Sequence, residues 1–117
     1  MSYTFSVIIP FYNAEKYLKA SINSILIQKR KDTEIILIND CSTDNCRQIC
    51  NSLKKKYSFI KVLNHKKNQG VGISRNNAIN SASGKYLVFL DSDDSLSPKS
   101  LTSLEKVIKD KFYPDVV

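Results

Sequence analysis

The stretch YLVFLDSDDS, residues 86–95, sets three carboxylates directly behind five apolar residues: Asp91, Asp93 and Asp94. Like charges this close repel each other, and burial would strengthen the repulsion, so the cluster needs either water or a cation. Asp91 and Asp93 stand at i and i+2. In an extended chain their side chains point the same way, roughly 6–7 Å apart. One can then hold a divalent cation while the other serves a neighbouring ligand group. Magnesium and manganese are commonly held by one or two carboxylates together with substrate phosphates. A capped turn without metal is the plain alternative.

Further polar residues follow other apolar runs. Pro10, Tyr12 and Asn13 come after the first, Asn39, Asp40, Cys41 and Ser42 after the second, and Asn64–His65–Lys66–Lys67 after the third. Taken singly, Asn13 and Ser42 read as helix N-caps, and Asp40 reads equally as turn chemistry. Tyr12 reads as packing and His65 as a surface loop residue. The segment GVGISR (70–75) lacks the third glycine of a dinucleotide fingerprint and follows the third run rather than the first, and no GxxxxGK[ST] occurs, which excludes a P-loop.

The elements that must position these residues are legible as runs. Phe5–Ile9, Ile35–Ile38, Phe59–Leu63 and Tyr86–Leu90 are short and nearly continuous, as strands of a parallel sheet buried on both faces would be. Between them, Leu18, Ile22, Ile25 and Leu26 keep helical spacing, and so do Cys46, Ile49, Cys50, Leu53 and Tyr57. A third helix is expected from about Gly70 to Ser83, ended by Gly84. A fourth is expected to start at Ser97–Pro98, with Ser as N-cap and Pro at the first helical position, and to bury Leu101, Leu104 and Ile108. Asp115–Val116–Val117 reads as the first residues of a fifth strand. This alternation predicts a doubly wound α/β fold with helices on both faces of a mainly parallel sheet. In such sheets ligands bind beyond the carboxyl ends of the strands, where all four polar loops converge.

A chain of 117 residues is enough for one domain with a real core. No apolar run reaches the roughly 18–20 residues of a membrane-spanning helix. The first residues lack a basic stretch, and Pro10 interrupts their apolar run, so no signal peptide is expected. The expected location is cytoplasmic, with peripheral association at the cytoplasmic face of a membrane left open. Cys41, Cys46 and Cys50 are expected to be reduced structural thiols. The net charge of +7 is carried by short scattered groups, Lys29–Arg30–Lys31, Lys54–Lys55–Lys56 and Lys66–Lys67. The first two groups fall at expected helix ends, where cations suit the helix dipole, so no nucleic-acid partner is expected.

The blocks FSVIIPFYNAEKYLKASINSILIQ, EIILINDCSTD and NQGVGISRNNAINSASGKYLVFLDSDD resemble the family-2 glycosyltransferases of the GT-A fold, over essentially the whole chain. The resemblance implies a Rossmann-like domain and transfer of a sugar from a nucleotide sugar, usually a UDP-sugar, to a hydroxyl acceptor with inversion, in polysaccharide or glycoconjugate synthesis. It matches Tyr12, after Pro10, to the aromatic that stacks on uracil. It matches Asp40 to the carboxylate that accepts from the uracil ring, and Asp91–Ser92–Asp93 to the DxD motif. Asp93 is then the main ligand of Mn2+ or Mg2+, Asp91 serves the ribose side or the metal shell, and Arg75 assists at the diphosphate. Asn39 and Cys41 stand where the family usually has Asp and Gly. The family places its catalytic base well past the DxD motif, so no residue here is assigned as base. Residues 1–117 are accordingly expected to be the nucleotide-sugar-binding part of a longer enzyme, apparently truncated, with the base and the acceptor-binding half beyond Val117 and an exposed edge that favours self-association. Two alternatives stand beside this. One is a haloacid-dehalogenase-like phosphatase using the DSD motif, and the other is a nucleotide-sugar-binding module without catalysis.

Overall fold

The computed structural model describes residues 3–111. Strand β1 (Tyr3–Phe11) and strand β2 (Thr33–Asn39) form the centre of a four-stranded sheet, with β3 (Ile60–Asn64) beside β2 and β4 (Gly84–Phe89) beside β1. Every pairing is parallel; Val7 faces Ile35 and Val88, and Leu37 faces Val62. Parallel neighbours need a crossover, and helices supply it. These are α1 (Leu18–Leu26), α2 (Cys46–Lys56) and α3 (Val71–Ser81), and α4 (Ser100–Asp110) follows β4.

Period-two alternation sorts the side chains between two cores. Phe5, Val7, Ile9, Ile35 and Leu37 pack with α1, α2 and α4 on one face, whereas Ile8, Ile36 and Ile38 pack on Ala78 of α3 on the other. The stripe on α2 is as the spacing predicts: Cys46 and Cys50 are buried, with Ile49, Leu53 and Tyr57 packed partly against the core. Burial pushes both thiols up, to about 11 for Cys46 and about 12 for Cys50, so they are unreactive core residues.

Several boundaries differ from expectation for identifiable reasons. Only β1 and β2 are covered on both faces; β4 lies at an edge and alternates between half-buried and exposed positions. Gly84 does not end α3. It opens β4, where a Cβ would meet the backbone N of Ser6 at 2.6 Å, so close strand approach is what requires glycine. Helix α4 begins at Ser100 rather than Ser97–Pro98, because the chain first makes a turn in which Lys99 is left-handed (φ 63°) and the Ser100 N–H donates to Ser97 O. The cap comes from another helix connection: Gln28 Oε1 accepts the Leu101 N–H at 3.1 Å. Lys54, Lys55 and Lys56 do close α2, but Lys29–Arg30–Lys31 lie past the last turn of α1. Arg30 instead pairs with Asp32 at 2.7 Å and Glu105 at 2.8 Å, tying α4 to the start of β2. The expected fifth strand at Asp115–Val117 lies outside the described residues.

One buried carboxylate holds the amino edge of the sheet. Glu34, opposite Ser6 in register, is fully buried; its Oε2 accepts from Ser6 Oγ at 2.6 Å and from the Ser83 N–H at 2.5 Å, and Lys61 Nζ pairs with Oε1 at 2.9 Å. Burial pushes its carboxyl up, and these three partners more than offset that, holding it below the usual range.

Candidate functional site

The chain runs outward from β1 to β2 to β3, then returns to place β4 on the other side of β1. Strand order reverses between β1 and β4, and at such a switch point the loops leaving the carboxyl ends part and open a crevice. A cleft of about 500 Å³ lies there, and Pro10, Tyr12, Asp40, Asp91, Ser92 and Asp93 line it. Six of the seven residues selected from sequence therefore meet in one space. The seventh, Arg75 on α3, does not line it but contacts Asp91, which does. Its Nη2 is 3.4 Å from Asp91 Oδ1 and its guanidinium lies over the Phe89 ring, while its buried Nε has no partner.

The two loops carrying Tyr12 and Asp40 are cross-linked to each other. The Asn13 N–H donates to Ser42 Oγ at 3.0 Å, the Thr43 N–H to Asn13 Oδ1 at 2.7 Å, and the Glu15 N–H to Asp44 Oδ2 at 3.1 Å. Asn13 and Ser42 are thus staples between loops, not the N-caps that each suggests alone; α1 and α2 have Tyr17 and Asn45 at those positions. Beside the staple, the Tyr12 ring stands half in water, 50% exposed, and is free to offer a face to a ligand.

The aspartate cluster is gathered by a turn and not by extended alternation. The Asp94 N–H donates to Asp91 O at 2.9 Å, which folds the segment back on itself. One carboxylate oxygen from each of Asp91, Asp93 and Asp94 then lies within 4.8 Å of the others, all three residues being exposed. An all-oxygen donor set with few competing partners fits a hard divalent cation such as Mg2+ or Mn2+. Two serines of α1 hold this turn from below. Ser21 Oγ lies 2.7 Å from Ser92 O and 2.5 Å from Asp94 O, and Ser24 Oγ accepts the Leu96 N–H at 3.0 Å. Sequence reasoning missed both serines. Their signal is position: Ser21 and Ser24 fall on the buried side of α1, where a hydroxyl needs a partner.

Asp40 is almost fully buried, and His65 is not the surface loop residue its setting suggests. The His65 side chain is 7% exposed and wedged between two partners: Nδ1 is 2.9 Å from Asp40 Oδ1, and Nε2 is 2.8 Å from Asn77 Nδ2. Asp40 also accepts the Gln69 N–H at 2.8 Å on Oδ1 and the Gly70 N–H at 2.9 Å on Oδ2. Burial pushes its carboxyl up, but the bonds from His65, Gln69 and Gly70 outweigh it and hold the group below the usual carboxylate range. Gly70 enters α3 at φ 90°, a conformation that favours glycine. Asn39 keeps a hydrogen-bonding role, accepting the Ser42 N–H and donating to Asn64 Oδ1. Cys41 sits at φ 66°, which accounts for the glycine usual at that place in the resemblance.

The profile of Glycosyl transferase family 2 matches residues 6–117. Glycosyltransferase GlyG of Streptococcus pneumoniae is 34% identical over 111 residues, covering 95% of this chain and 37% of that protein. The cholesterol galactosyltransferase of Borreliella burgdorferi is 41% identical over 102 residues, covering 87% of this chain and 28% of that protein. Among solved structures, S. aureus TarS 1–349 in complex with UDP-GlcNAc superposes with a TM-score of 0.82 at 35% identity, covering 92% of this chain and 31% of that one. The fold alone is shared with the mannosyltransferase PcManGT of Pyrobaculum calidifontis, at a TM-score of 0.82 and 19% identity. The chain thus spans 28% to 37% of the length of GlyG, the cholesterol galactosyltransferase and TarS 1–349.

Proposed function

The chain belongs to glycosyl transferase family 2, and from that premise we propose that it is the donor-binding part of an inverting glycosyltransferase that takes a UDP-sugar. The observation that carries the reading is the single cleft shared by Tyr12, Asp40 and the Asp91–Asp93 turn, whose roughly 500 Å³ suits a small-molecule ligand. The UDP-GlcNAc bound to TarS supports a uridine diphosphate donor.

In this reading the half-exposed Tyr12 ring stacks on the base. Asp40 accepts from the ring N–H of uracil. Asp93, with Asp91, holds Mn2+ or Mg2+, and Arg75 adds positive charge beside Asp91. A divalent cation bound there supplies Lewis-acid stabilisation of charge on the leaving diphosphate. Ser21 and Ser24 hold the turn at the height this requires. The general base and the acceptor site are assigned to residues beyond Val117, which the threefold greater length of the relatives supports. Family membership sets aside the phosphatase alternative. Sugar transfer to a matched acceptor by the longer protein separates an enzyme from a module that only binds.

The direct test is calorimetric titration of UDP with Mn2+ present, with chelator, and with Asp93→Ala. Binding is expected to weaken in the second and third cases. Equal affinity in all three sinks the reading.

A further inference from the structure

We infer that His65 aims Asp40, and thereby sets the preference of the cleft for a pyrimidine that carries a ring N–H over one whose ring nitrogen only accepts. The inference rests on the nucleotide reading above and assigns His65 as a positioning residue, because it does not line the cleft. The imidazole is fixed at both nitrogens. Asn77 Nδ2 is a donor, so Nε2 accepts, and the ring proton of the neutral tautomer lies on Nδ1, directed at Asp40 Oδ1. The His65 backbone is fixed as well, its N–H donating to Asn39 O at 2.9 Å.

A carboxylate has about four acceptor positions. His65 Nδ1–H, Gln69 N–H and Gly70 N–H fill three of those on Asp40, leaving one on Oδ2. Three donors, one side chain and two consecutive backbone N–H groups, fix the plane of the carboxylate and so the direction of the position left over. Asp40 lines the same cleft as Tyr12, so a base stacked on Tyr12 meets that position. Uracil offers N3–H there. Cytosine offers an unprotonated N3, which a carboxylate lone pair repels. His65 is the one side chain among the three donors, and removing it frees the carboxylate to turn while leaving the two backbone donors in place.

The experiment titrates the chain with UDP, CDP and pyrophosphate in the presence of Mn2+, as wild type, His65→Leu and His65→Gln. Wild type is expected to prefer UDP over CDP. His65→Leu should lose roughly tenfold in UDP affinity, the scale of one hydrogen bond to a charged group, with pyrophosphate unchanged and the UDP-to-CDP ratio collapsed. His65→Gln keeps a side-chain donor and should retain part of the ratio. Asn77→Leu leaves the bond to Asp40 but loosens the ring, and should lower the ratio by less; it serves as the test should His65→Leu fail to fold. A folded His65→Leu with the wild-type ratio overturns the inference, as does one in which all three ligands weaken in parallel. Absence of any UDP preference in the wild type overturns the assignment of Asp40 to uracil and this inference with it.

Discussion

At the amino edge of the sheet Glu34 is fully buried, and Ser6, Ser83 and Lys61 engage its oxygens. At the carboxyl edge Asp91, Asp93 and Asp94 stand in water with oxygens within 4.8 Å of one another, and Arg75 reaches only Asp91, at 3.4 Å. A carboxylate with three donors around it holds a fold together. A cluster of carboxylates left short of donors keeps its mutual repulsion, screened by water. Asp40 lies between the two kinds. It sits at the carboxyl edge and lines the cleft, yet it is wired as tightly as Glu34.

Substituting Glu34 is the largest test of that contrast. Glu34→Leu leaves the Ser6 hydroxyl and the Ser83 N–H without a buried acceptor, while Lys61, 41% exposed, can turn to water. The expected loss is roughly 2–4 kcal/mol of stability by urea denaturation. Wild-type UDP affinity of the folded fraction should persist; a loss of binding in step with stability would show that the two edges are not separable.

Acid reads the carboxylates wired to donors next. Glu34, Asp32 and Asp40 are each held below the usual carboxylate range, so the stability they contribute is present above about pH 4 and is lost as pH falls through their folded values. Urea midpoints should be flat from pH 7 to 5 and fall steeply below 4. Glu34→Gln should make that fall shallower. An unchanged slope in Glu34→Gln contradicts the structural role given to that carboxylate.

Cys41 brings the comparison to backbone strain at the carboxyl edge. Its φ of 66° favours glycine, so Cys41→Gly should raise stability by up to about 1 kcal/mol, less the extra entropy of the unfolded chain. A lower thermal midpoint would mean that the contact from Sγ to Lys66 O outweighs the strain. Asp93→Asn should have the smallest effect on stability, within about 0.5 kcal/mol, because the residue is exposed. A fall of 2 kcal/mol or so would place Asp93 among the structural carboxylates.

The architecture is legible in the sequence because it depends on patterns that repeat: apolar runs, helical spacing and their alternation. Six of the seven selected residues share the cleft for the same reason, since topology alone sends the ends of β1, β2 and β4 to one edge. Single-residue readings fail where the partner is distant in sequence. Asn13 and Ser42 each look like caps, and only their 29-residue separation closing to a hydrogen bond makes them a staple. His65 looks like a loop residue because Asp40 and Asn77 are 25 and 12 positions away. Glu34 gave no signal at all, for nothing in TEIILIN says that Lys61 and Ser83 will come to meet it.

Ser21 has one proton and two carbonyls within reach, Ser92 O and Asp94 O, two residues apart in the acidic turn. A hydroxyl donates once, so at any moment one carbonyl is served and the other is not. Turning the hydroxyl exchanges them without breaking a covalent or backbone restraint. One hydroxyl of α1 thus carries two carbonyls of the turn by sharing, and Ser24 adds a third tie through the Leu96 N–H.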